Sequence, residues 1–248
     1  MKRIINIRLF YELKRVKMSV ASIVVGSTGL IGKKLIFELA KKDLEVIAIT
    51  RRYISDLPKN VSLLNINFDN FVKNGSLPSC DHIYICLGTT IKKAGSQSEF
   101  KKVDFDYCIS FAKKAREAGA TKISLVSSVG ANPYVKNFYL KTKGEVEEEI
   151  KKIDFQYINI FRPSLLLGSR EENRFLERIG QNLSPFINLF LIGSLRKYRS
   201  IKSSNVAYCL ANYQQSGGIK YLYFDNFINN FLMRKPMKIL ALGGSGGM

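Results

Sequence analysis

The sequence predicts an α/β fold, a doubly wound parallel sheet with helices on both faces and a small C-terminal substrate lobe. Three observations carry that expectation. From Val20 onward, short apolar runs alternate with helical patterns, as strands and covering helices do in a parallel sheet. Gly26, Gly29 and Gly32 stand three apart between the first apolar run and the first helical pattern. That helix, Leu30 to Lys42, gathers Leu30, Ile31, Leu35, Ile36, Leu39 and Ala40 on one face and leaves its lysines on the other, as docking on a sheet requires.

In chain order, strands are expected near 20–25, 45–50, 61–66, 82–86, 122–127 and 156–161, with helices between them. Asn60, Asn74-Gly75 and Gly217-Gly218 supply turns. At 248 residues and 46% hydrophobic content the chain can form one large core, so a single main domain is read over residues 18–235. Residues 1–17, MKRIINIRLFYELKRVK, carry six basic groups and one acid and stand outside it. A membrane-surface helix and a targeting segment are both readings of such a stretch. It lacks a signal peptide's apolar centre and a transit peptide's serines, and Met18 lies just before the first strand, so an upstream extension of the true start is preferred. Residues 236–248 read as a flexible tail resembling a truncated second nucleotide-binding start, because M-K-I-L-A-L-G-G-S-G-G-M repeats an apolar run followed by glycines.

Composition narrows the function. No stretch approaches the roughly 18 apolar residues that cross a bilayer. Cys80, Cys86, Cys108 and Cys209 are scattered without metal-ligand spacing, which fits a reduced, cytoplasmic setting and no metal. The one histidine, His82, begins a strand and excludes any mechanism that needs two. A net charge of +19 raises the question of nucleic acid. The basic residues, however, come as pairs along helix faces, and lysine and isoleucine are equally abundant at 26 each, the mark of a biased composition. Nucleic-acid binding is therefore the weakest reading.

In a βαβ nucleotide fold the first glycine permits the tight turn, the second lets the backbone approach a pyrophosphate, and the third allows close helix-strand packing. Free amides at the helix N-terminus, helped by the dipole, then meet the anion. Gly26, Ser27, Thr28, Gly29, Leu30, Ile31 and Gly32 form the expected cradle, with Ser27 and Thr28 offering hydroxyl donors. At the end of the second strand, where an acid would select the unphosphorylated cofactor, the chain has Arg51 and Arg52. Guanidinium forks suit a 2′-phosphate, so the expected cofactor is NADP(H).

After the fifth strand comes F-Y-L-K-T-K-G-E-V-E-E-E-I, which puts Tyr139 and Lys143 a turn apart on one helix face. A free phenol titrates near pH 10, and a neighbouring cation favours its ionised form. Tyr139 is thus the candidate acid/base and Lys143 its partner, with Ser128 or its neighbour Ser127 holding a carbonyl oxygen. A second Tyr-x-x-x-Lys match, Tyr198 with Lys202, follows an irregular stretch and no serine-ended strand.

With these motifs in this order the chain resembles the short-chain dehydrogenases/reductases of the atypical or extended kind. C-L-G-T-T-I-K-K-A-G-S (86–96), V-D-F-D-Y (103–107), Y-L-K-T-K-G-E-V-E (139–147) and F-R-P-S-L-L-L-G-S-R-E-E-N-R (161–174) are similar to segments of the Tat-interacting-protein-like oxidoreductases, over roughly Val20 to Leu232. The resemblance implies a Rossmann-like, epimerase/dehydratase-like NAD(P)-binding domain with bound NADPH. It also implies cofactor contacts from the backbone of Leu87, Gly88 and Thr89, packing beside the nicotinamide by Leu166, and a cofactor or substrate contact from Arg174. Relatives carry Asp-Phe after the third strand for the adenine amino group; here Asn67-Phe68 stands there, with Asn67 or Asp69 as acceptor.

Asp104 is read as a cap for the helix that follows it. Glu145, Glu147, Glu148 and Glu149 are read as a helix face balancing nearby lysines. Phe186, Phe190, Leu191 and Ile192 are expected to wall the substrate lobe. The sequence thus points to an NADPH-dependent oxidoreductase acting on a carbonyl-type small molecule, with homo-oligomerisation left open. The alternative is an NADPH-binding regulatory or assembly protein without turnover.

Overall fold

A computed structural model describes residues 21–42, 45–167, 188, 190–214 and 217–233. The six expected strands form within about two residues of their sequence boundaries. They are β1 (Ser22–Val25), β2 (Val46–Thr50), β3 (Val61–Asn65), β4 (His82–Ile85), β5 (Lys122–Val126) and β6 (Tyr157–Phe161). β7 (Leu166–Leu167) and β8 (Ile201–Lys202) form a separate parallel pair, and β9 (Gly218–Leu222) joins the main sheet beside β6. The main sheet is parallel throughout, in the order β3-β2-β1-β4-β5-β6-β9. β9 lay hidden behind the turn signal of Gly217-Gly218. Both glycines do turn the chain, at φ 126° and 71°, and the strand starts inside that turn.

The helices are α1 (Gly32–Ala40), α2 (Phe68–Asn74), α3 (Ile91–Ala94), α4 (Gln97–Lys101), α5 (Tyr107–Glu117), α6 (Phe138–Lys151), α7 (Ser203–Asn212) and α8 (Phe224–Leu232), with a π-helical turn, Lys102–Asp106, between α4 and α5. Polar side chains set several starts by accepting a bond from a first-turn amide. Thr90 does so for α3, Ser96 for α4 and Asn137 for α6.

Successive side chains leave a strand on opposite faces. Ile23, Val25, Ile83, Ile85, Ile123 and Leu125 therefore enter one core with α2, α5 and α6, while Val24, Ala48, Tyr84 and Phe161 enter another with α1, α7 and α8. His82 belongs to the second face. Its ring stacks on Tyr84 at 3.9 Å, and its Nε2 lies 2.9 Å from the Ser124 hydroxyl. Burial, and after it Lys122, lower its pKa to about 3 against the opposing pull of Asp81. The histidine is neutral and packs.

Among the described residues, no helix is long and apolar enough to cross a membrane. Residues 1–17 and 236–248 lie outside the described residues. In this topology the strand order reverses between β1 and β4, and a crevice opens beyond their C-terminal ends, where sheets of this kind bind ligands.

Candidate functional site

The crevice starts at the glycine corner. Gly26 sits at φ +86°, and a Cβ there would lie 2.7 Å from the Cys86 carbonyl carbon. Only glycine lets β1 turn this close to the end of β4. A Cβ on Gly32 would come 2.3 Å from the Gly26 oxygen, so the third glycine is required by helix-strand packing. Gly29 closes the turn by donating its amide to Gly26 O at 2.9 Å.

Leu30 and Ile31 lead into α1, and among the described residues their amides donate to no carbonyl. The first turn of α1 carries no acid and no side-chain cap. Unpaired N–H groups with no competing carboxylate fit a phosphate. The two hydroxyls differ in fate. Ser27 is buried and donates to Val24 O at 2.7 Å and Ile49 O at 3.3 Å, binding β1 to β2, whereas Thr28 is exposed.

At the end of β2, Arg51 and Arg52 are exposed, and no described carboxylate pairs with either. The Arg51 guanidinium lies 5.4 Å from the Phe68 ring centroid, and the Arg52 amide donates to Thr50 Oγ1 at 3.0 Å. Both candidate adenine acceptors are already engaged. Asn67 caps α2 by accepting from Asn70 N at 3.1 Å, and Asp69 accepts from Tyr107 Oη at 2.7 Å with Lys102 Nζ at 2.8 Å. Those hydrogen bonds, Lys102 first, hold the Asp69 carboxyl below its usual range.

On α6, Tyr139, Lys143 and Glu147 recur every four residues, which lines them along one face. Tyr139 packs beside Phe100, ring centroids 5.7 Å apart. Lys143 is buried, and its Nζ stands 2.8 Å from Oδ1 of Asp104, which has no exposure at all. Burial alone would lower this lysine. The Asp104 charge outweighs it and holds the ammonium above the usual lysine range.

Asp104 is therefore not a cap. It belongs to the π-turn, and its Oδ2 accepts from the Thr89 amide at 2.9 Å. A widened turn re-aims a side chain that a regular helix would carry past the site. The only sequence trace of this role was the V-D-F-D-Y segment. Thr89 N is thus occupied, Leu87 is buried, and exposed Gly88 lies over the ion pair, where a Cβ would be 3.8 Å from Lys143 Nζ.

The two serines after β5 also separate. Ser127 is buried and donates its hydroxyl to Glu147, while Ser128 is partly exposed, with its hydroxyl 3.3 Å from Val129 O. Glu147 is only 1% exposed and forms a two-toothed ion pair with Arg162, where the sequence predicts a helix-face glutamate balancing nearby lysines. Leu166 is half-buried in β7 beside the second core. Arg174 and Phe186 lie outside the described residues. Tyr198 ends a 3-10 turn and Lys202 lies in β8, so this second Tyr-x-x-x-Lys pair shares no helix face.

A family model described as NAD(P)H-binding matches residues 26–186, from the glycine corner past the F-R-P segment. The chain belongs to this family. Its relatives include Protein FMP52, mitochondrial, of Candida albicans, 32% identical over 208 residues that cover 79% of this chain and 89% of the relative. Protein HTATIP2 of Rattus norvegicus, the Tat-interacting kind, is 33% identical and covers 61% of this chain and 64% of its own. Among solved structures, human epimerase family protein SDR39U1 with NADPH has the same fold, with a TM-score of 0.56 at 19% identity over 82% of this chain and 74% of that one.

The cytoplasmic setting expected from the cysteines is corrected by these relatives. The Candida relative and further fungal ones are named mitochondrial. Free thiols do not distinguish the two compartments, because Cys80, Cys108 and Cys209 are buried, Cys86 is half-buried, and all four thiols are pushed up to about 12, chiefly by burial.

The Lys143–Asp104 pair makes a stability prediction. Asp104→Ala strands a buried ammonium and should cost about 3–5 kcal/mol, read as a lower urea midpoint, with Asp104→Asn losing less. Because the Lys143 pKa is raised, its contribution is complete below 10.5 and is lost only as pH climbs through the folded value. An Asp104→Ala protein with the parent's midpoint would contradict this account.

Proposed function

We propose that the protein is an NADPH-dependent reductase of a carbonyl-type small molecule. The observation that carries this is Tyr139 one helical turn from a buried, charged Lys143 at the crevice of an NAD(P)H-binding fold. The corner from Gly26 to Gly32 would hold the pyrophosphate through Thr28, Leu30 and Ile31, and Arg51 with Arg52 would hold the 2′-phosphate. The main chain of Leu87, Gly88 and Thr89, with Leu166 and Arg174, completes the cofactor side of this reading. When bound, NADPH supplies a hydride.

The chain's own groups handle the proton. Ser128 donates a hydrogen bond to the substrate carbonyl oxygen, and Tyr139 gives that oxygen its proton as it becomes an alcohol. Lys143 stabilises the charge left on the phenol oxygen. Asp104 touches neither substrate nor phenol; it keeps Lys143 fixed. The same carboxylate favours the second reading, an NADPH-binding regulator without turnover, because it offsets the lysine charge that would assist Tyr139.

The mitochondrial names of the fungal relatives support a mitochondrial location.

Three measurements test the reading. In a fluorescence titration NADPH should bind more tightly than NADH, and Arg51→Ala with Arg52→Ala should weaken NADPH by about 10- to 100-fold while sparing NADH. Equal affinities for the two cofactors would refute the arginine assignment. Tyr139→Phe should lower NADPH-dependent reduction of a quinone or aldehyde by about 100-fold or more with NADPH affinity kept. An unchanged rate removes the acid/base role, and tight NADPH binding with no carbonyl reduced supports the regulator. A full-length fluorescent fusion should mark mitochondria, and a diffuse cytosolic signal would end that assignment.

A further inference from the structure

Beyond Lys143, α6 carries a second ion pair, buried Glu147 with half-buried Arg162. We infer that this pair is the positioning device that sets the Tyr139 helix against the Ser128 strand end, an inference that rests on the reductase reading. Arg162 stands between two residues whose carbonyls grip the serine turn. Phe161 O accepts from Ser127 N at 2.8 Å, and Pro163 O accepts from Val129 N at 2.9 Å. Ser128 is thus pinned on both sides by the neighbours of Arg162.

From that point the guanidinium reaches the helix. Its Nε lies 3.0 Å from Glu147 Oε1, and Nη2 bonds Oε2. Nη1 is 3.0 Å from Tyr223 Oη, and the Tyr221 ring lies 4.5 Å away. Glu147 Oε1 also accepts the Ser127 hydroxyl. The strand end, the F-R-P segment and the helix therefore close a loop of bonds two turns along α6 from Tyr139.

The covalent route between Ser128 and Tyr139 is a surface loop whose Tyr134 is 92% exposed. It touches α6 where a Cβ on Gly144 would meet Pro133 N at 2.3 Å. That contact seats the loop, whereas the ion pair joins the strand ends to the helix directly. A planar, two-toothed fork fixes orientation as well as distance, which a lysine cannot do.

The test replaces the whole constellation, Glu147→Leu with Arg162→Met and Ser127→Ala, because removing one partner strands a charge while an apolar substitute for the pair is tolerated. Two readouts are taken on the NADPH-bound full chain. Hydrogen exchange at residues 128–131 should accelerate about ten-fold or more while the glycine corner keeps its protection. With 9,10-phenanthrenequinone as probe, kcat should fall about 100-fold, with KM and the NADPH Kd changed by less than about three-fold. Arg162→Lys, which keeps the charge without the fork, should fall between parent and triple variant, and it carries the test if the triple variant melts early.

Parent-like exchange at 128–131, or parent-like kcat, in a folded variant overturns the inference. A parent that binds NADPH and reduces nothing, or Tyr139→Phe without effect, removes the reductase reading alone. Exchange then still decides whether the pair holds the turn.

Discussion

Asp104 has no contact with water, yet both of its oxygens are committed: one faces the Lys143 ammonium at 2.8 Å and the other takes the Thr89 amide at 2.9 Å. A carboxylate so buried is tolerable only because a cation and an N–H meet it there. Three segments share those contacts, the loop after β4, the π-turn before α5 and the helix α6. The loop after β4 and the Tyr139 helix are therefore joined through one interior charge pair. The π-turn is what carries the carboxylate to this point, and Lys102 from the same turn ties Asp69 in the first turn of α2.

The glycine corner works by a different physics. Unpaired amides and the helix dipole provide an oriented positive field there without a charged side chain. Gly26 takes φ +86°, open to glycine without strain, and the Cys86 carbonyl leaves no room there for a Cβ. Arg51 and Arg52 stand exposed beyond the end of β2. The large positive charge of the whole chain is thus mostly peripheral to this arrangement. Many of its lysines answer neighbouring acids on exposed helix faces, as Lys151 and Lys152 do with Glu148 and Glu149, and such pairs contribute little individually.

Legibility tracked local periodicity. The first six strands and the faces of α1 and α6 could be read because side-chain direction repeats every two or 3.6 residues. β9 could not, since two glycines at its start speak only of a turn and its pairing with β6 is a long-range fact. The same limit divided the serines. Ser27 offered a hydroxyl to the cradle on paper, but β2 stands close enough to claim it through Ile49 O. Ser127 and Ser128 are equivalent in sequence until Glu147 takes the first. Glu147 itself looks like one of four acids balancing nearby lysines, and only Arg162, fifteen residues away, makes it a buried partner.

By itself the sequence determined the parallel α/β architecture, the glycine corner, the absence of an acid after β2 and the shared helix face of Tyr139 and Lys143. All of these rest on spacing within one element or across one turn, where geometry follows from residue order. Tertiary structure decided which polar groups remain free for a ligand and which hold the fold: Ser127 against Ser128, Asp104 as the partner of Lys143, and Glu147 as the partner of Arg162. Burial and pairing are properties of segments brought together in space, and no periodicity along the chain encodes them.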